Sequence, residues 1–313
     1  MMNATKPSSC YWNPTAEKIG LTFADCLIFL VSLAGNTVIG IIVYKTKTMR
    51  KPINFLIVNM AMSDLLFPFF WFPQHIQSLY TNFWLLGGPL GQALCKLANL
   101  LLLVSKVVSV QSVVLIAVDR FGAVVYPLRS PLISSKLCPF FIIATWIIAM
   151  AAQSPYLFAY KLVEYPGGLV CDLHWKEVFG ESSSLYHYEV SILMIFYLIP
   201  WVLLVILYIT IYIKLKSQKF PGEQSANAGQ QRQQRERNVF KMALAIVLGF
   251  AICWLPYSIY WFLWFFAPNI RSCDFQYFDL FAFFMAHMNC AMNPCICFIF
   301  SKNYRIGLKQ LVR

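Results

Sequence analysis

The chain has 313 residues, of which 59% are hydrophobic and 12% charged, with a net charge of +12 and a mean hydropathy of +0.62. A soluble domain carries about 25% charged residues, so this composition excludes an ordinary water-soluble globule and makes lipid the expected solvent. In a soluble chain the excess of base would point to nucleic acid; here the bases flank apolar runs, so a lipid bilayer is the expected partner and nucleic acid is not.

A bilayer core about 30 Å thick takes roughly 20 apolar residues to cross. Seven runs meet that length: 19–44, 53–79, 92–125, 136–158, 187–216, 236–266 and 275–300. The expected fold is an all-α membrane protein, a seven-transmembrane helix bundle over 19–300. An extracellular segment precedes it (1–18), and a cytoplasmic amphipathic helix and tail follow (301–313). No charged stretch followed by a cleavage site opens the chain, so the first run is expected to stay as a signal anchor. Pro68, Pro73, Pro155, Pro200, Pro256 and Pro294 fall inside the runs, where packed membrane helices tolerate kinks.

The connecting segments alternate in charge. One set, from Lys45 to Lys51, Arg120 to Lys136, Lys214 to Lys241 and Lys302 to Arg313, holds 18 of the 25 Lys and Arg. The positive-inside rule places that set in the cytosol and the N-terminus outside, as expected of a multi-pass plasma-membrane protein. The sequon Asn3-Ala4-Thr5 then lies outside, open to glycosylation. The polar stretch 224–237 reads as a mobile cytoplasmic loop, and the run from Lys302 to Leu311 as an amphipathic helix on an anionic leaflet.

Polar groups inside lipid are costly and mark function. Asp64, Asn36, Ser109, Asn289 and Asn293 sit at mid-span in four different runs. Asp64 is either ionised beside a small cation ringed by oxygens or protonated and hydrogen-bonded to asparagine. Asp119-Arg120 ends the third run. Arg120 either pairs with Glu236 at the start of the sixth, closing the bundle, or snorkels to headgroups. Lys106, in the outer half of the third run, needs an acid such as Asp25 or Glu189, or an anionic ligand group. Gln74, His75 and His287 lie at comparable depth. None of the ten cysteines recurs in C-x-x-C pairs at zinc spacing, which argues against a metal site of that kind.

These residues, in this order, resemble the rhodopsin-like (class A) G-protein-coupled receptors along nearly the whole chain, most of all the neuropeptide-receptor groups. Gly35-Asn36-Thr37-Val38 is similar to the first-span GNxxV motif, Asp64 to the second-span acid, and Asp119-Arg120-Phe121 to DRY. Trp146 stands for the fourth-span tryptophan, and Pro200 with Tyr208 for the fifth span. Phe250 to Pro256 resembles FxxCWxP, and Asn293 to Cys297 resembles NPxxY.

The resemblance implies a disulfide from Cys95 to Cys171, and in some peptide-receptor groups a second from Cys10 to Cys273. It implies a sodium ion, an allosteric modulator rather than a cofactor, at Asp64, Ser109, Asn289 and Asn293. Trp254 would be the rotamer switch above it. Arg120 and Leu128 would contact a heterotrimeric G protein, with Asp119, Tyr208, Glu236, Phe250, Pro256 and Cys297 in the switching machinery. Trp84 with Gly87 looks like the first outer-loop motif, and a β-hairpin is expected in the second outer loop. Phe121 in place of Tyr is a mild departure. Cys297, where NPxxY carries tyrosine, puts the usual active-state link to Tyr208 in doubt.

The amine receptors' aspartate position is Leu102 and the opsins' lysine position is His287, so neither an amine nor a covalent chromophore is expected. An extracellular neuropeptide is the expected ligand, met by Gln74, Lys106, Glu189, Trp254, Asp279 and His287, with the loop acids Glu164, Asp172, Glu177 and Glu181 attracting a basic peptide. Lys106 favours the alternative of a lipid acid or small carboxylate. A transporter or channel would show internal repeats, and none is present. No convergent nucleophile, base and metal set suggests an enzyme.

Overall fold

The computed structural model describes residues 14–81, 83–127, 131–217, 226–266 and 273–312. Asn3, Cys10 and Leu128 lie outside these residues, and the side chains of Glu236 and Cys273 are likewise outside the description.

Four long helices come first: α1 (Pro14–Lys45), α2 (Pro52–Tyr80), α3 (Gly88–Val125) and α4 (Cys138–Ala159). A hairpin follows, β1 (Tyr160–Tyr165) and β2 (Gly168–Leu173), and then a short helix α5 (Trp175–Phe179). The fifth span is broken into α6 (Leu185–Leu193), a π-helical turn at Met194–Leu198, and α7 (Ile199–Ser217). The chain ends with α8 (Ala226–Phe266), α9 (Cys273–Phe300) and α10 (Lys302–Val312). Seven of these segments are long and apolar enough to cross a membrane, the fifth as Leu185–Ser217.

Local chemistry accounts for several boundaries. Pro52 and Pro89 sit in first turns, where a missing N–H costs nothing. The π-turn lies just before Pro200, which cannot donate into the ladder. The stretch read as a mobile loop is instead helical from Ala226. Its Ala, Gln and Arg residues are good helix formers, and they extend α8 on the N-terminal side of the sixth span.

The bundle is apolar outside and holds a set of polar side chains within its apolar interior. Asp25, Ser32, Asn36, Asn59, Asp64, Ser109, Ser112, Asn289 and Asn293 are buried, while Phe140, Ile143 and Ile147 on α4 and Ile206, Ile209 and Ile213 on α7 are exposed in rows at helical spacing. Those rows are lipid-facing surface. At 38 residues α3 is about 57 Å long, well beyond a 30 Å core. It packs on α2, α4, α7 and α8, while α1 packs on α2 and α9, and α9 on α8.

Close approaches fix two of these contacts. A Cβ on Gly35 would fall 2.6 Å from the Cβ of Pro294, so α1 meets α9 backbone to ring. A Cβ on Gly307 would fall 2.5 Å from Ile42, which seats α10 against α1; Tyr304, buried, donates to Asn54 Oδ1 at 3.3 Å. The hairpin is antiparallel with Tyr160 opposite Leu173, and the Cys95–Cys171 disulfide ties it to α3. Trp84 N donates to Leu169 O at 2.6 Å, and Leu162 N to Gln92 Oε1 at 2.9 Å.

Candidate functional site

Asp64 on α2 is buried at the centre of the bundle, where Ser109 Oγ donates to Oδ1 at 3.3 Å and Asn293 Nδ2 to Oδ2 at 2.6 Å. Asn289 lines the same small cavity of about 10 Å³, with Ser105, Lys106 and Trp254. Of the five residues read from the sequence as one polar cluster, Asp64, Ser109, Asn289 and Asn293 converge, while Asn36 is bonded to Ser32 and Cys290 instead. Asn289 Oδ1 is buried and accepts no hydrogen bond among the described residues. An orphan carbonyl oxygen beside a carboxylate is a donor set that suits a small hard cation, and the cavity has room for about one water-sized particle.

Asn36 donates to Cys290 O at 2.9 Å, tying α1 to α9. Trp146 Nε1 donates to Asn59 Oδ1 at 2.8 Å, and Asn59 Nδ2 donates to Ser112 Oγ at 2.8 Å and to Thr145 Oγ1 at 3.3 Å. This second polar knot joins α2, α3 and α4 and gives Trp146 a partner; Asn59 and Thr145 carry no charge, so neither stands out in its run.

Above Asp64, toward the hairpin, Lys106 pairs with neither acid proposed for it from sequence. Its Nζ donates to Tyr257 Oη at 3.3 Å and lies 4.8 Å from the Tyr257 ring centroid and 5.3 Å from that of Trp254. Ring faces satisfy an ammonium, and an aromatic stripe gives no such signal in sequence. Glu189 on α6 accepts instead from Tyr156 Oη on α4. Asp25 on α1 faces His75 and His287. Gln74 Nε2 and Asp279 Oδ1 are buried polar atoms with no hydrogen-bond partner among the described residues. His287 is buried against Asp25 and the Trp71 ring rather than open to a ligand.

Three of the loop acids have neighbours as well. Glu177 accepts from Lys161 at 2.5 Å and faces His174 Nδ1 at 3.0 Å, Asp172 accepts from Tyr165 Oη at 3.1 Å, and Glu181 lies 3.7 Å from Lys176. The Lys161 hydrogen bond holds the Glu177 carboxyl below the usual range, and that on Tyr165 raises its phenol. Three of the four loop acids thus face a nearby donor or base while staying exposed, and Glu164 is exposed on β1.

At the opposite, basic end, a cavity of about 1490 Å³ opens between the helix ends, and Lys51, Asp119, Arg120, Met242, Lys302 and Arg305 are among the residues lining it. Arg120 Nε donates to Asp119 Oδ2 at 3.0 Å. The expected contact with Glu236 lies outside the described side chains. Between the two ends run Trp254, Phe250 and Tyr208: Phe250 packs at 5.8 Å from both the Trp254 and Trp201 rings, and Tyr208 at 5.8 Å from Phe240. Pro256 sits inside α8 two residues past Trp254. Cys297 is fully buried, and the Tyr208 hydroxyl has no partner among the described residues.

Residues 35–296 match the 7 transmembrane receptor (rhodopsin family). The chain belongs to that family. Among curated relatives, the RYamide receptor of Drosophila melanogaster is 30% identical over 96% of this chain and 65% of its own length. The Substance-K receptor of Homo sapiens is 30% identical over 91% of this chain and 71% of its own. The Substance-P receptor of Mus musculus is 26% identical over 99% and 74%. The chain thus spans just under two thirds of the length of the first and nearly three quarters of the others. Membership of the rhodopsin family makes this receptor a multi-pass plasma-membrane protein.

Proposed function

We propose that the receptor binds an extracellular neuropeptide at the hairpin end and passes the signal to a heterotrimeric G protein at the basic end. The observation that carries the ligand class is the similarity to receptors for RYamide, substance K and substance P over more than nine tenths of this chain. The pocket supports it. Lys106 is held on two ring faces, so the deep cation does not await a carboxylate, and Asp279 and Gln74 offer unpaired polar atoms to a peptide's own groups. The hairpin end lies outside and the basic end in the cytosol, on the strength of the positive-inside rule. Glycosylation at Asn3 and a Cys10–Cys273 bridge belong to the same reading.

Asp64, Ser109, Asn289 and Asn293 would hold a sodium ion, whose charge offsets that of the buried carboxylate. Lys106 lines the same cavity and opposes a cation there. At the cytosolic end, Arg120 and Leu128 meet the G protein when the inner part of α8 moves outward about Pro256.

The test sets amidated peptides against free fatty acids and small carboxylates in a cellular G-protein activation assay. A peptide agonist weakened by Glu189→Ala or Asp279→Ala is the expected result. A carboxylate agonist lost with Lys106→Ala would replace the peptide by an acid and leave the family and coupling in place.

A further inference from the structure

Three residues meet at the hairpin end: Asp25 and His75, which the ligand and sodium readings leave over, and His287, which is buried rather than open to a ligand. Asp25 on α1, His75 on α2 and His287 on α9 place one carboxylate oxygen and two imidazole nitrogens within 4.8 Å of one another. Asp25 Oδ2 is 2.6 Å from His75 Nδ1, and Asp25 Oδ1 is 3.6 Å from His287 Nδ1. We propose that Asp25, His75 and His287 form a zinc-binding site that clasps the first, second and seventh spans together.

The donor set is the first argument. Two neutral imidazoles and a carboxylate are the protein ligands of open zinc sites, with the fourth position left to water or another donor. Zinc bonds of 2.0–2.1 Å in a tetrahedron separate neighbouring donors by about 3.3 Å. The observed 2.6 and 3.6 Å run to different oxygens of Asp25 and straddle that value, and the three donors lie within 4.8 Å of one another, so side-chain movements of up to about an ångström bring them around one ion.

Preorganisation is the second. The His75 ring stacks on Trp71 at 5.8 Å with 18° between planes, and His287 sits 5.1 Å from the same indole and 5.8 Å from Phe72. Asp25 and His287 are only 2% and 3% exposed, while His75 at 19% gives a path in from the hairpin end. The site is closed by aromatic walls on rigid helices, which holds ligands in place at little entropic cost.

Charge is the third. Zinc with one carboxylate retains a positive charge, and Asp279 lies within electrostatic reach of His75 with an oxygen unpaired among the described residues. It offsets Lys106, whose charge is felt at His287. The proposal stands independently of the peptide reading, since it concerns binding of the metal alone.

The test is titration of zinc chloride into the purified receptor in detergent, read by calorimetry and by thermal melting. Wild type should bind one zinc and melt at a higher temperature with it, because ligand bound to the folded state stabilises that state. His75→Gln and His287→Gln should each weaken zinc by on the order of 10-fold or more. His174→Gln, in the surface contact with Glu177 and Asp172, should change nothing. Zinc binding that survives both cluster variants, that vanishes with His174→Gln, or that is missing from wild type overturns the proposal. Should the cluster variants misfold, zinc-edge X-ray absorption of the wild-type complex decides: two imidazoles without sulfur support the site, and sulfur ligation refutes it.

Discussion

At the scale of single residues, the polar groups placed in lipid carried most of the readable information. Asp64, Ser109, Asn289 and Asn293 do converge, because a buried carboxylate needs oxygen and amide neighbours and the sequence offers few others at that depth. The partners of Lys106, Glu189 and Asp25 were not legible. Each of these residues chose an aromatic face, a tyrosine hydroxyl or a histidine pair, and which neighbour wins depends on helix rotation, which an apolar run does not encode. Cys297 yields a sharp expectation. It is fully buried, so Cys297→Tyr overfills the present packing by about 1–3 kcal/mol and supplies a phenol that Tyr208 now lacks. The variant should show raised ligand-independent G-protein activation, and a basal signal at or below wild type would contradict the argument.

At the scale of elements, length and hydropathy set the spans to within a few residues, since bilayer thickness fixes how many apolar residues a helix needs. The stretch at the start of α8 is helix rather than loop because Ala, Gln and Arg carry helix propensity that polarity alone does not reveal. Contacts between elements rest on small residues. Gly35→Leu would push a side chain into Pro294 and part α1 from α9, at a cost of about 1–3 kcal/mol. Gly40, where an added Cβ meets nothing within 4 Å, is the matched control. Gly40→Ala should hold or raise stability by roughly 0.5–1 kcal/mol, since alanine loses less backbone entropy in a helix. Melting in detergent should separate the two variants in opposite directions, and equal shifts would mean that the close approach of α1 to α9 is not what holds them.

At the scale of the whole molecule, the proposed ligand end, the polar knot at mid-depth and the cavity at the basic end share one set of helices, so an occupant that prefers one arrangement of the bundle changes the affinity for the others. Reciprocity follows: if sodium at Asp64 favours the closed arrangement and G protein the open one, sodium loosens agonist and G protein tightens it. Asp64→Asn should abolish the sodium dependence of agonist affinity, and Lys106→Ala, by removing an opposing charge from the same cavity, should enlarge it. Agonist affinity that responds to sodium equally in all three receptors would remove the ion from this site.

The π-turn at Met194–Leu198 has a bearing beyond its local geometry. One surplus residue there shifts the phase of everything before it against everything after it by about 100°. The widened turn takes up that offset, so Glu189 meets Tyr156 while the α7 side chains below keep their own frame. Deleting one residue of 194–198 would remove the surplus together with the turn, so a continuous helix should keep Glu189 beside Tyr156 and Tyr208 in place. Such a receptor should still reach the membrane and answer its agonist, and loss of the response would mean that the widened turn itself serves the ligand.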